Sequence, residues 1–206
     1  MGDSCCSGTV DIRAMEARQR RVLMIVLAIN IATFVMMLSA AIYSGSSSLL
    51  SGSLDNLGDA LTYLLSIAVI GASTRAKAKV ALLKGLLILG AAMAVAVQVG
   101  WRLAHPEVPI FEAIGIAALL NLAFNGICLW LLTPYRHGDV NMASVWECSR
   151  NDVFEGIAVL LAAVGVWLFE AGWPDLLIAA ALLVMFLRSA WRVLRSAWRS
   201  YKREDA

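Results

Sequence analysis

Charge is scarce in this chain. Only 16% of its 206 residues are Asp, Glu, Lys or Arg, against 60% hydrophobic, and the mean hydropathy is +0.75. An ordinary soluble domain is far more polar. The net charge of +2 says little for nucleic acid, and no nucleic-acid partner is expected. Four cysteines do not make a disulfide framework. Cys128 and Cys148 fall in apolar segments, and Cys5 and Cys6 are neighbours in a polar terminus. The N-terminal stretch has no apolar core, so no cleavable signal peptide is expected. Little sequence is left over for a soluble domain.

What the chain does have is long apolar runs, enough for about six spans of about 20 residues. The expected fold is all-α, a six-transmembrane-helix bundle. Residues 1–20 read as a mobile cytoplasmic tail, 21–200 as the membrane domain and 201–206 as a short cytoplasmic tail. The first span is Val22 to Ile42, following Arg18, Arg20 and Arg21 and interrupted by Asn30. After a turn at Ser44-Gly45-Ser46-Ser47 the second runs from Ser48 to Ser73. A basic loop holds Arg75, Lys77 and Lys79. The third span is Val80 to Trp101, the fourth Ile110 to Leu132 and the fifth Met142 to Phe169. Gly172-Trp173-Pro174 breaks the helix, and the sixth span is Asp175 to Leu194.

Lys and Arg concentrate in alternate connections: the N-terminus, the loop after span two, the loop after span four and the C-terminus. Of the other three loops only one is basic, through Arg102. Cytoplasmic loops carry the excess of Lys and Arg, so both termini are expected in the cytoplasm. Trp101, Trp130, Trp167, Trp173 and Trp191 sit near span ends, as interfacial anchors do.

Within span two, Asp55 and Asp59 lie at i and i+4, on one helix face and roughly 6 Å apart along the axis. Lipid cannot solvate two carboxylates, and acidic residues inside a membrane usually mark an ion or proton path. Span five repeats the spacing with Cys148 and Asp152. Counted at about 1.5 Å per residue, Asp59 and Asp152 each lie roughly 15–17 Å deep, near the middle of a core about 30 Å thick. Three carboxylates and a thiol at one depth on antiparallel helices suit a tetrahedral transition-metal ion. Ser48, Ser51, Thr62 and Ser66 extend the acidic stripe of span two. Asn141, Ser144 and Glu155 extend that of span five, while Arg150 points away. The stripes read as a hydrated path with a cation site along it.

These residues resemble the cation diffusion facilitator family of six-span divalent-metal transporters. Ser44-Gly45-Ser46 followed by Asp55-Asn56-Leu57-Gly58-Asp59-Ala60 is similar to the family's second helix. Val145 to Asp152 is similar to its fifth, with Cys148 where His or Asp is usual. Gly172-Trp173-Pro174-Asp175, then Leu187 to Trp191, is similar to its sixth. The likeness covers residues 18 to 200 and is that of a short member lacking the C-terminal cytoplasmic domain. It implies a transporter rather than an enzyme, exporting metal from the cytoplasm in exchange for protons. It also implies a homodimer.

The expectation is thus a multi-pass protein of the inner (plasma) membrane that serves metal resistance. Its substrate would be a divalent transition-metal ion, Zn(II) first and then Cd(II), Co(II), Ni(II) or Fe(II), with protons as counter-ion. The metal ligands would be Asp55, Asp59, Cys148 and Asp152. Glu155 is expected as a relay or entry residue. Asn121, Asn125 and Cys128 share a face of span four, where interhelical hydrogen bonding is expected, as it is for Asn30. His137 and Asp139 read as solvated loop residues. Two other readings stand beside this one. One is a non-transporting membrane metal sensor or accessory protein. The other is soft-metal uptake, suggested by Cys5 and Cys6.

Overall fold

The computed structural model describes residues 5–68, 74–137 and 140–204. The described residues form six α-helices and a short 3-10 turn, with no strand. The helices are α1 (Cys5–Ser44), α2 (Ser47–Ala68), α3 (Thr74–Ala104), α4 (Phe111–Leu132), α5 (Val140–Phe169) and α6 (Trp173–Glu204). The chain is an all-α bundle. Its outer surface is apolar: Ile42, Val97, Leu161 and Trp130 are all widely exposed. An outward apolar face of this kind is at home in lipid and a liability in water. The five predicted anchor tryptophans are all exposed.

Among the described residues, three helices are long and apolar enough to cross a membrane by length and composition alone: Ala17–Ser44, Phe111–Tyr135 and Cys148–Phe169. Six such segments were expected. α2 falls short because it carries the acidic pair and a run of serines. α3 offers a shorter apolar segment, Leu89–Ala104, because its first turns are basic.

Most helix ends differ from the hydropathy reading, and the reason is physical. Basic residues end the lipid-compatible stretch without ending the helix, since Lys and Arg are good helix formers and their long stems can reach water. Residues 5–20, expected as part of a mobile tail, are the first turns of α1. Arg75, Lys77 and Lys79 lie in α3 rather than in a loop. α6 continues to Glu204. Trp173 and Pro174, expected as a helix break, form its first turn, where proline is tolerated. The break comes just before, where Glu170 takes a left-handed φ of 48°. Residues 69–73 and Asp139 lie outside the described residues, as do the side chains of Ser66, Asn141 and Ser144.

α2 is the hub. It packs on α1, α3, α4, α5 and α6, while α1 and α5 each also pack on α4, and α3 lies along α6. One end of the bundle is stitched by its turns. Gly45, at φ 71°, reverses the chain between α1 and α2. A side chain there would be strained, and a Cβ would collide with the Arg102 guanidinium. Arg102 pairs with Glu107, and the Ile110 N–H donates to the Ser44 carbonyl at 3.2 Å. The α3–α4 connection is thereby fastened over the α1–α2 turn.

Candidate functional site

The interior changes character twice along the bundle. Toward the turn end just described, Met37, Leu49, Ile114, Ala118, Val159 and Val166 belong to one apolar cluster. Toward the other, Leu23, Val26, Tyr63, Cys128, Leu132 and Val145 form a second. Between them every contributing helix turns polar. α1 supplies Asn30 and Thr33, α2 supplies Asn56, α4 supplies Asn121 and Asn125, and α5 supplies Ser149 and Asp152, all buried. Four helices thus place polar side chains in a single layer. Lipid-buried polar groups are tolerated only when they face protein or a cavity.

Across this layer α2 and α5 form a ladder. The Asp59 and Asp152 carboxyl groups face each other across it. Asp55 and Glu155 face each other one step along and line one cleft. On the far side of Asp59, the Tyr63 hydroxyl donates to Asp59 Oδ2 at 3.1 Å and lies within electrostatic reach of Asp152 and Cys148. Each step toward the C-terminus of α2 is therefore matched by a step toward the N-terminus of α5, as antiparallel neighbours require. Gly52 continues the series: a Cβ there would touch Met37 and come within 3.8 Å of Glu155 Oε1 and 4.0 Å of Val159. The missing side chain leaves room for the Met37 methyl of α1, while the two α5 atoms would be at ordinary contact distance.

The four predicted ligands, Asp55, Asp59, Cys148 and Asp152, all reach this layer, and Asp152 is 5% exposed. They meet as rungs rather than around one point. Among the described residues no group of three or more His, Cys, Asp or Glu stands ready to hold a metal ion. Holding one would require the carboxyl pairs to open. Asp55, Asp152 and Glu155 line a common cleft with Asn56, Asn121 and Asn125.

α4 forms the third wall. Asn56 Nδ2 donates to Asn121 Oδ1 at 2.9 Å, which is the interhelical bond expected of Asn121. Asn125 Oδ1 is buried without a partner, as is Ser149 Oγ. Asn30 departs from expectation: its Nδ2 donates to Val26 O at 2.9 Å, one turn back in its own helix. The hydroxyls of the α2 stripe also turn inward on the fold. Ser51 donates to Ser47 O at 3.1 Å and Thr62 to Gly58 O at 2.8 Å. Arg150 points away as expected; it is exposed, 5.2 Å from the centre of the Trp146 ring.

Sequence reasoning missed Tyr63 and Asp175, and it missed the pairing of Glu155. Tyr63 follows Asp59 at i+4, so its spacing was available. Glu155 was placed on the right face, but its pairing with Asp55 depends on helix register. Asp175 had no assigned role. It is 2% exposed and receives the first turn of α2. Ser47 N–H donates to its Oδ2 at 2.7 Å, Ser46 Oγ to Oδ1 at 2.6 Å and Ser48 Oγ to Oδ1 at 2.5 Å. Ser46 Oγ in turn accepts the Leu49 N–H at 3.1 Å, the N-cap bond of α2. The helix that carries Asp55 and Asp59 is therefore held at its start by α6.

The family model described as the cation efflux transmembrane domain matches residues 23–200. No curated protein matches the chain.

Proposed function

Because the chain belongs to the cation efflux family, we propose that it exports a divalent transition-metal ion from the cytoplasm in exchange for protons. It is an integral membrane protein that moves cations outward; the metal, the counter-ion and the ligands are the proposal. Zn(II) is the first candidate, ahead of Cd(II), Co(II), Ni(II) and Fe(II), and Asp55, Asp59, Cys148 and Asp152 are the ligands. Both termini face the cytoplasm, and the membrane is the inner (plasma) membrane.

One observation carries this reading: the Asp59–Asp152 carboxyl pair, half-buried at Asp59 and buried at Asp152, lies between two apolar clusters. Two carboxyl groups facing each other in a lipid-buried layer repel unless they share a proton. A cation that takes their oxygens must displace that proton, so metal entry and proton release are one event. Fully ionised, three carboxylates and the Cys148 thiolate carry −4, and a divalent ion leaves −2. Lipid tolerates that poorly, so one donor keeps a proton while metal is bound. Protons arriving from the outer side re-form the carboxyl pairs and expel the metal there. Because the ligands sit on facing helices near the middle of the bundle, rocking of α2 against α5 exposes the layer to one side at a time.

The test is flux into proteoliposomes loaded with a metal-sensitive dye, with and without a pH gradient. Zn(II) movement that follows the gradient supports the reading. Absence of gated flux would assign the protein to metal sensing or an accessory role instead.

A further inference from the structure

The ladder has a rung that the four proposed ligands do not explain. Glu155 pairs with Asp55 on the side of the layer away from Tyr63 and Cys148. Glu155 Oε1 is buried with no hydrogen-bond partner. Asn125, on α4, lines the same cleft as Asp55 and Glu155. It is 1% exposed, and its Oδ1 has no partner. The unpartnered atoms of the cleft-lining residues are therefore both oxygen acceptors. A buried carbonyl oxygen beside two carboxyl groups lacks a donor, which is costly in a lipid-buried layer. A cation supplies what such an arrangement lacks.

We propose that Asp55, Glu155 and Asn125 form a second cation position, built from oxygen donors only, that takes a hard divalent ion such as Mn(II). Two carboxylates and an amide carbonyl are the donors that such ions prefer, whereas a thiolate draws Zn(II) and Cd(II). The Cys148 sulfur is on the Tyr63 side of the layer. The two positions therefore divide the ladder by ligand softness, with α4 serving only the oxygen side. Gly156 helps to close the cleft, because it lets α5 lie against Leu122 of α4. The proposal rests on the metal-transport reading of the same layer, because Asp55 borders both positions.

The experiment uses the full chain in lipid nanodiscs at one pH. Mn(II) binding is read as loss of the free-ion electron paramagnetic resonance signal, and Cd(II) binding by calorimetry. Wild type is expected to bind both ions. Glu155→Gln should weaken Mn(II) by about tenfold or more while leaving Cd(II) within about threefold, and Cys148→Ser should do the reverse. Asn125→Asp, which adds charge without adding bulk, should tighten Mn(II). Wild type that binds Cd(II) but not Mn(II) overturns the second position and leaves the transport reading standing. Wild type that binds neither ion overturns both. Equal loss of both ions in Glu155→Gln, or weaker Mn(II) binding by well-folded Asn125→Asp, also overturns the second position.

Discussion

Asp175 Oδ2 accepts the Ser47 backbone N–H at 2.7 Å, so the first turn of α6 holds the first turn of α2. A helix begins with N–H groups that have no partner within it, and a positive dipole end. Here a buried carboxyl group from another helix meets both needs, and it also gathers the Ser46 and Ser48 hydroxyls. Asp175→Ala should cost about 2–4 kcal/mol, because it strands several buried donors at once. Asp175→Asn, which keeps one acceptor oxygen, should cost less. Thermal denaturation in detergent, followed by the monodisperse peak on size exclusion, measures this. An unchanged midpoint in Asp175→Ala would mean that the serines hold α2 unaided.

Asp59→Asn should abolish metal transport while the protein still inserts. The amide keeps the shape and can still bond to Asp152 and accept from Tyr63, so the layer stays packed. It cannot supply the charge that attracts a divalent ion, and its cost in the membrane is no greater than that of Asp. Dye-loaded proteoliposomes read the flux, and a size-exclusion profile checks the fold. Near-normal flux in the folded variant would remove Asp59 from the site.

Tyr63→Phe is a finer probe. It removes the 3.1 Å bond to Asp59 Oδ2 and keeps the buried ring. A group that orients a metal ligand commonly matters about tenfold or more to affinity. Zn(II) affinity should therefore fall by about threefold to tenfold, with insertion and thermal stability little changed. Titration of Zn(II) in nanodiscs would show it. Unchanged affinity would make Tyr63 part of the apolar cluster and nothing more.

The sequence made the helices and the acidic layer legible because two carboxylates inside an apolar run are hard to explain otherwise. It placed Asp59 and Asp152 at one depth, and they do meet. It could not give the register. Simple pairing by motif sets Asp55 with Asp59 against Cys148 with Asp152. In the bundle α5 is set along by a rung, so Asp55 meets Glu155, and Cys148 comes near Tyr63. Bonds such as Asn56 to Asn121 and Ser47 to Asp175 join helices far apart in the chain. No periodicity within one helix reports them. The helix ends were misread for a different reason. Hydropathy marks where lipid stops, and the basic ends of α1, α3 and α6 stay helical past that point.

Cys148 offers the clearest test of ligand identity. A thiolate favours Cd(II) and Zn(II) over harder ions, and its bond to zinc, about 2.3 Å, is longer than an oxygen or nitrogen ligand would make. Cys148→His restores a nitrogen donor, so it should retain Zn(II) transport with a weaker preference for Cd(II). Cys148→Ser offers a neutral hydroxyl and should weaken both ions. Protons compete with metal for the thiolate and for the carboxylates. Affinity for either ion should therefore fall as pH drops from about 8 to about 6. In Cys148→Ser the remaining pH dependence comes from the carboxyls alone and should be shallower. Competition between Cd(II) and Zn(II) in wild type and both variants, repeated across that range, decides the matter. An unchanged Cd(II) to Zn(II) ratio in all of them would mean that the sulfur only packs beside Tyr63. The softer position would then be held by its carboxylates alone.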